Sequence, residues 1–297
     1  MEPATRIDMR TRRRAGSVFA WQGWELTLPP RWNPVRLEGD YARGYALIAD
    51  VHGPRLGLRW NSVATTKTFD AHTWAKRAML EEVGQLAADE AQLLPMTNER
   101  WQGSTLYTEP APPGRDVWVA RSAVSGRLVE LIHHARRPQH VLRDDILPTL
   151  LDQEAGGGVR WSVFDFTCTA PVGFQLESHA LNAGDLMLSF VNQLQRVLVR
   201  RIAVAELALK RLPPHGWLAR QEAAVSKYYR PAGEVGTSNN EVTRRMTRRR
   251  RFAWMRWRAP ELFTRVLHDV ARDRLIIIQA TDEQLTRDVV ARVSNPC

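Results

Sequence analysis

The sequence is poor in the residues and patterns that mark several large classes of protein. It has two cysteines in 297 residues, Cys168 and Cys297, and neither stands in a metal-binding or disulfide spacing. No run approaches the roughly eighteen consecutive apolar residues that a transmembrane helix needs. The basic N-terminal residues are followed by no apolar segment of the kind found in a signal peptide. These absences indicate a reducing compartment, and we expect the protein in the cytoplasm.

Motifs of catalysis and of cofactor binding are also missing from the sequence. It contains no Gly-x-Ser-x-Gly element, and the glycines at 156–158 are not followed by the Lys-Ser/Thr pair of a phosphate-binding loop. Paired carboxylates such as Glu81 and Glu82 are typical of a solvated helix face. We therefore predict that the protein is not an enzyme and has no catalytic, cofactor-binding or metal-binding residues.

The nearest approach to a metal motif is a group of histidines and aspartates close together in the chain. Its members are His133, His134, His140, Asp144 and Asp145. Adjacent residues of a strand point to opposite faces, which separates His133 from His134, and the spacing matches no zinc signature. Ordinary polar roles are therefore the favoured interpretation.

The composition that remains is that of a folded protein with a basic bias. Hydrophobic residues make up 44% and charged residues 25%, and the length suits two domains of ordinary size. The formal net charge is +10, and residues 151–297 carry more of the excess than residues 1–150. Most of that excess lies in two arginine clusters.

Patterns in the first half of the chain recur roughly 140 residues later, which indicates an internal duplication. The alternation of Trp24–Leu28 predicts a half-buried strand ending at a proline, and Phe164–Cys168 repeats it. Helical periodicity at 68–88 recurs at 215–228, with a tryptophan early in each segment. Apolar strands at 126–132 and 273–279 each precede a predicted helix.

These correspondences predict an α+β fold of two tandem copies of an antiparallel-sheet α/β/α sandwich, each in the order β-β-β-α-β-β-β-α. The predicted parts are a basic N-terminal arm at 1–16, a first repeat at 17–154, a glycine-rich linker at 155–160 and a second repeat at 161–297. The second copy is expected to contain an additional helix at 260–271. Tryptophans such as Trp24, Trp60 and Trp217 are expected in the core.

A strand that ends at two prolines and is soon followed by an aromatic residue, as in Leu26–Trp32, precedes further strands and a central amphipathic helix. This pattern resembles the PsbP-like family, which includes the extrinsic subunit of photosystem II and a Ran-binding nuclear protein. The resemblance implies an α/β/α sandwich and a non-enzymatic role as a binding or assembly module. It assigns no functional residue, and the second copy departs from it at Thr169–Phe174, where the aromatic is spaced differently.

Two arginine clusters supply the candidate contact residues. They are Arg10, Arg12, Arg13 and Arg14 in the arm, and Arg244, Arg245, Arg248, Arg249, Arg250 and Arg251 in the second repeat. Guanidinium groups beside the aromatics that follow position 251 would suit phosphates and stacked bases. Strand alternation sends Arg249 and Arg251 to one face and Arg248 and Arg250 to the other, which argues against one flat patch.

The sequence leaves two functional hypotheses of different kinds. We expect a non-enzymatic binding or scaffold protein that acts through protein contacts in a larger assembly. The alternative is an electrostatic binder of nucleic acid, or of another polyanion or acidic surface, that uses the second repeat and the N-terminal arm.

Overall fold

The computed structural model describes residues 16–63, 70–83, 92–95, 99–109, 114–134, 141–154, 158–250 and 259–294. The chain forms two compact units. The first comprises Met1–Glu154 with Ser162–Asp165, and the second comprises Ala155–Trp161 with Phe166–Cys297. Each unit is described separately.

The first unit is built mainly from strands. Its strands are β1 Ser17–Trp21, β2 Trp24–Leu28, β3 Asn33–Gly39, β4 Arg43–Asp50, β5 Gly53–Ser62, β6 Gln92–Pro95, β7 Trp101–Thr108, β8 Arg115–Ser122, β9 Arg127–His134 and β10 Leu151–Asp152. Helix α1 spans Ala71–Val83, and a π-helical turn at Val141–Ile146 continues into a 3-10 turn at Leu147–Thr149. Seven strands form one antiparallel sheet in the order β3-β4-β5-β9-β8-β7-β6.

Helix α1 covers part of one face of this sheet. Ala78 packs with Tyr107, Val117 and Ile132, and Trp74 lies against the same cluster. The helix begins after Asp70, whose carboxylate accepts bonds from the His72 amide (3.0 Å) and the Thr73 hydroxyl (2.6 Å). The bond from the His72 amide satisfies a backbone donor of the first turn that has no partner within the helix.

A hairpin of β1 and β2 contributes to the opposite side of the first unit. The alternation in β2 buries Trp24, Leu26 and Leu28, and the ring of Trp24 stacks on that of Trp101 at a centroid distance of 6.3 Å. Strand β10 pairs with β2, and Ser162 pairs with Ala20 of β1. The strand predicted at Trp24–Leu28 is confirmed with these bounds.

The second unit repeats this sheet topology. Its strands are β11 Arg160–Val163, which crosses the division between the units, β12 Phe166–Thr169, β13 Gln175–Asn182, β14 Asp185–Asn192, β15 Gln195–Ala203, β16 Tyr229–Ser238, β17 Glu241–Arg248, β18 Glu261–Asp269 and β19 Arg274–Ala280. Its helices are α2 Ala205–Arg211, α3 Pro214–Val225 and α4 Glu283–Ser294, with a 3-10 turn at Val270–Arg272. The antiparallel order β13-β14-β15-β19-β18-β17-β16 is that of the first sheet.

Helices α2 and α3 pack on one face of the second sheet. Ala205 of α2 and Trp217 of α3 join a buried cluster with Val242, Val266 and Ile277 of the sheet. Helix α4 packs against β12, β18 and β19. Of the tryptophans expected in the core, Trp24, Trp60 and Trp217 are buried. Among the helices in the described part of the chain, none has the length and apolarity that a bilayer crossing requires.

The predicted α+β fold of two α/β/α sandwiches is wrong. The structure is mostly antiparallel sheet, with 56% strand against 21% helix, arranged in three sheets with few helices. In the first unit, short π-helical and 3-10 turns at Val141–Thr149 stand in place of the helix expected after β9. The proline at position 148 sits in the 3-10 turn, and proline is accepted at the start of a helix but not in its interior.

The additional helix expected at 260–271 is also wrong, because Glu261–Asp269 is strand β18. Apolar residues in this segment fit a helical spacing, yet burial follows a period of two, with Leu262, Thr264 and Val266 facing the core. Pairing with β17 on one side and β19 on the other decides the conformation. Between β15 and β16 the second unit has two helices, α2 and α3.

Candidate binding groove

Among the residues that the structure describes, a groove lies between α1 and the first sheet. It is lined by Glu38, Tyr45, Arg59 and Glu130 from the sheet and by Trp74, Arg77 and Glu81 from the helix, among other residues. Its volume is about 480 Å³. Pockets that hold small molecules or parts of a partner fall in the range of about 300–1,000 Å³.

The sheet side of the groove is a straight row of side chains across four strands. Glu38 pairs with Tyr45, Tyr45 pairs with Arg59, and Arg59 pairs with Glu130 in the strand register. Residues directly opposite each other in antiparallel strands share one face of the sheet. Register therefore brings two acids, an aromatic ring and a guanidinium together from distant parts of the sequence.

Arg59 is the central cation of this row. Its Nη1 donates to Glu130 Oε1 at 3.1 Å and lies 4.0 Å from Glu81 Oε2 on the helix. Its guanidinium also stands 5.7 Å from the centroid of the Tyr45 ring. The side chain of Glu130 is 17% exposed and that of Glu81 54% exposed. Glu130 therefore fixes the orientation of Arg59, and the contact with Glu81 is looser.

The helix side of the groove has its own cation beside an aromatic ring. The guanidinium of Arg77 lies 4.8 Å from the Trp74 centroid, and its Nε is 3.3 Å from Glu81 Oε1. This pair is spaced i,i+4 with the cation first, the less favourable of the two orders on a helix. Glu81 also stands near the end of α1, where the helix dipole disfavours a carboxylate. Both effects make the Glu81 contacts easy to replace.

An arginine on β3 adds charge at the rim of the groove. Arg36 Nε donates to Glu38 Oε1 at 2.7 Å, and the guanidinium lies 5.8 Å from the Tyr45 centroid. The bond to Glu38 raises the pKa of Arg36 above its usual value. Nearby, a Cβ on Gly44 would lie 2.2 Å from Cζ2 of Trp60, so only glycine leaves the indole in place.

The matching row of the second unit has a different character. Tyr45 precedes Asp50 by the same number of residues as Met187 precedes Asn192, and Asp50 and Asn192 are the last paired residues before the hairpin turns. Tyr45 and Met187 are therefore equivalent positions. Met187 pairs with Arg200, and Arg200 pairs with Ile277. Arg200 thus takes the position of Arg59 without a tyrosine or a glutamate beside it in the row.

Arg200 is instead held by the second unit itself. Its Nε donates to Asp185 Oδ1 at 2.7 Å, and this bond raises the pKa of Arg200. The guanidinium lies 6.0 Å from the Trp217 ring of α3, and Ile277 is fully buried. The mixed-charge row is a feature of the first unit.

Five of the predicted contact arginines fall outside the described residues. They are Arg10, Arg12, Arg13, Arg14 and Arg251. The other five lie on or just after β17, and the register places Arg244 opposite Thr264 and Arg245 opposite Phe263, on different faces of the sheet. Strand β17 ends at Arg248, so the strand alternation predicted for Arg248–Arg251 does not apply to Arg249 and Arg250, which follow the strand.

Several of these arginines are engaged within the second unit. Arg244 Nε lies 3.1 Å from Glu222 Oε1, and its Nη1 donates to the Gly233 carbonyl. Arg245 pairs with Glu261, which raises its pKa. Arg249 Nε donates to the Ser226 carbonyl at 2.9 Å. Arg248 is half-buried at the end of β17, and Arg250 is exposed. The described part of the cluster forms no single surface.

The histidine and aspartate group is dispersed. His133 is buried, stacked on Trp32 at 5.9 Å, with Nδ1 3.5 Å from Asp116 Oδ2. His134 is half-buried, His140 lies outside the described residues, and Asp144 pairs with Arg143 at 2.8 Å. Across the described ranges, no three His, Cys, Asp or Glu side chains come close enough together to hold a metal ion.

Sequence reasoning missed the groove. It considered Glu81 only as a solvated carboxylate, although Arg77 and Glu81 stand at the i,i+4 spacing of a helical ion pair. The row from Glu38 to Glu130 depends on strand register, for which the sequence offers no local signal. No family model matches the chain, and a search of curated proteins also finds no match. The function must therefore be argued from the site.

Proposed function

We propose that the protein is a non-enzymatic binding protein that holds a protein partner in the groove of the first unit. The main support for this proposal is that Arg59, Arg77 and the rings of Tyr45 and Trp74 lie in one groove. Arginine and aromatic side chains are enriched where protein interfaces concentrate their binding energy. A role as scaffold in a larger assembly, located in the cytoplasm, belongs to this proposal.

The alternative proposal is an electrostatic binder of nucleic acid or another polyanion. The +10 net charge and the exposed Arg250 favour it. Against it stands the placement of Arg244 and Arg245 on different faces of β17, because arginines that face opposite ways cannot form one continuous phosphate-binding surface. The groove is therefore the stronger candidate.

A capture experiment separates the two proposals. The full chain serves as bait in native lysate, with and without nuclease, alongside the variants Arg77→Glu and Arg287→Glu. Both arginines are exposed on a helix, at 63% and 58%, and each pairs with a glutamate four positions away. Both variants change the net charge equally, so non-specific electrostatics are matched.

The proposal expects one stoichiometric protein partner that survives nuclease treatment. That partner should be retained by Arg287→Glu and lost by Arg77→Glu. Capture that disappears with nuclease, and falls steeply with salt, would favour the polyanion alternative. A partner that Arg77→Glu retains in full would show that the groove is not the binding surface.

A further inference from the structure

Glu81 occupies a position that suits a carboxylate from another molecule. Its two oxygens face two arginines, one 3.3 Å from Arg77 Nε and the other 4.0 Å from Arg59 Nη1. The longer contact exceeds a hydrogen bond, and half of the Glu81 side chain is exposed. A carboxylate that approached both guanidinium groups from solvent would gain closer bonds than Glu81 makes.

Charge in the groove favours an acidic occupant over a basic one. Arg36 is matched by Glu38 and Arg59 by Glu130, each at hydrogen-bond distance. Arg77 is paired with Glu81, and Arg43 also lines the groove, so these four arginines exceed the three glutamates by one positive charge. A basic segment would be repelled by these arginines. It would gain little in return, because the glutamates named here are already paired with arginines.

The aromatic rings define what should stand beside that carboxylate. Tyr45 and Trp74 both line the groove, and each ring has a guanidinium over it. Between them they offer apolar area next to the two cations, which is where an aromatic or aliphatic side chain adjacent to an acid would pack.

Building on the proposed function, we infer that the groove binds an acidic peptide segment of the partner, in which a carboxylate displaces Glu81 from Arg59 and Arg77 and a neighbouring apolar side chain packs on Tyr45 and Trp74. Glu81 then acts as an internal competitor. Its removal should strengthen binding, whereas removal of an ordinary groove contact should weaken it.

The test uses the full chain and three short peptides measured by calorimetry. The amidated probe EDWLED carries the proposed chemistry, QNWLQN is its neutral counterpart and KRWLKR its basic counterpart. We expect EDWLED to bind at least about tenfold more tightly than either of the others, and more weakly as salt rises. Equal affinity for EDWLED and QNWLQN would overturn the role of the carboxylate.

Two pairs of variants locate the contact. Arg77→Gln should weaken EDWLED about tenfold and Arg287→Gln should leave it unchanged, since loss of a charge-assisted bond is of this size. Glu81→Gln should strengthen it about twofold, the effect of relieving a surface pair, with Glu283→Gln as the unaffected control. Weaker binding by Glu81→Gln would contradict the competitor role.

Other occupants would give distinct results. A single-stranded oligonucleotide that displaces EDWLED with the same Arg77→Gln sensitivity would show a general anion site and overturn the peptide assignment. Self-association of the chain that Arg77→Glu abolishes, measured by sedimentation velocity, would assign the groove to a second copy. If EDWLED does not bind but Arg77→Glu still fails to capture the partner, the acidic nature of the bound segment is wrong and the proposed function stands.

Discussion

Arg127 and Asp152 form a buried ion pair in the first unit, with each side chain about 1% exposed. The guanidinium also donates to the carbonyls of Gln22 (2.9 Å) and Tyr41 (2.6 Å) and lies over the rings of Trp24 and Tyr41. These bonds join the β1–β2 turn, the β3–β4 turn, β9 and β10. The pair thus connects four segments that are far apart in the chain.

Replacing Asp152 by asparagine keeps the shape of the side chain but leaves the buried Arg127 charge without its counter-ion. We expect the free energy of unfolding to fall by about 3–5 kcal/mol, the usual cost of breaking a buried pair. Urea denaturation followed by circular dichroism measures it. Asp144→Asn, which breaks the exposed pair with Arg143, is the control and should change nothing measurable. Equal effects of the two substitutions would contradict the prediction.

Gly23 lies at the centre of the same cluster and cannot accept a side chain. Its φ is +85°, and an added Cβ would stand 2.8 Å from Tyr41 Cε2 and 3.0 Å from Arg127 Nη2. Gly23→Ala should therefore destabilise by about 1–3 kcal/mol. Gly53 is the control position: its φ is +122°, and no atom lies within 4 Å of an added Cβ. Gly53→Ala therefore measures the backbone cost alone. Thermal unfolding should show a larger loss of stability for Gly23→Ala than for Gly53→Ala. A larger loss for Gly53→Ala would argue against crowding at Gly23.

Cys168 should be unreactive in the folded protein. Burial raises the pKa of its thiol to about 12 from the usual 9.0, so the nucleophilic thiolate is absent near neutral pH. In the variant Cys297→Ser, a thiol reagent at about pH 8 should modify Cys168 only after urea is added. Rapid modification without urea would contradict its burial.

The same raised pKa of Cys168 sets a direction for stability with pH. The native state holds the proton above the pH at which the unfolded thiol loses it, so this contribution is complete below about pH 9 and declines toward pH 12. Cys168→Ala should remove that part of the alkaline decline. Unfolding midpoints measured between these pH values compare the two proteins.

Trp118 contributes a buried hydrogen bond to the aromatic cluster of the first unit. Its Nε1 donates to Ser104 Oγ at 2.7 Å, and its ring meets that of Trp101 edge-on at 5.3 Å. Trp118→Phe leaves the Ser104 hydroxyl without this bond and should cost about 1–3 kcal/mol. Adding Ser104→Ala should recover part of that loss. Additive losses in urea denaturation would show that the bond contributes little.

Local periodicity predicts some elements of this fold well. The alternation of β2 depends on Trp24, Leu26 and Leu28 facing one side, and the strand has the predicted bounds. Helix α1 lies within the segment where helical spacing was found. In both cases the pattern of burial agrees with the intrinsic period of the element.

Where the apolar residues of a segment fit both helical and strand periodicity, pairing with neighbouring strands determines which structure forms. The apolar residues of β18 suit a helix as well as a strand, and its neighbours β17 and β19 determine which forms. The groove is harder still to predict, because Glu38 and Glu130 belong to one row only through the registers of β3, β4, β5 and β9. Turn geometry can set the registers of β3 with β4 and of β4 with β5, but β5 and β9 pair across a long stretch of chain. One residue of slip in a strand would move its side chains to the other face.

The second unit also shows how the face that carries the groove in the first can be closed. There α2 packs Ala208 and Leu209 against the cluster around Ile277, and Trp217 lies over Arg200, the counterpart of Arg59. In the second unit this face of the sheet therefore belongs to the buried core.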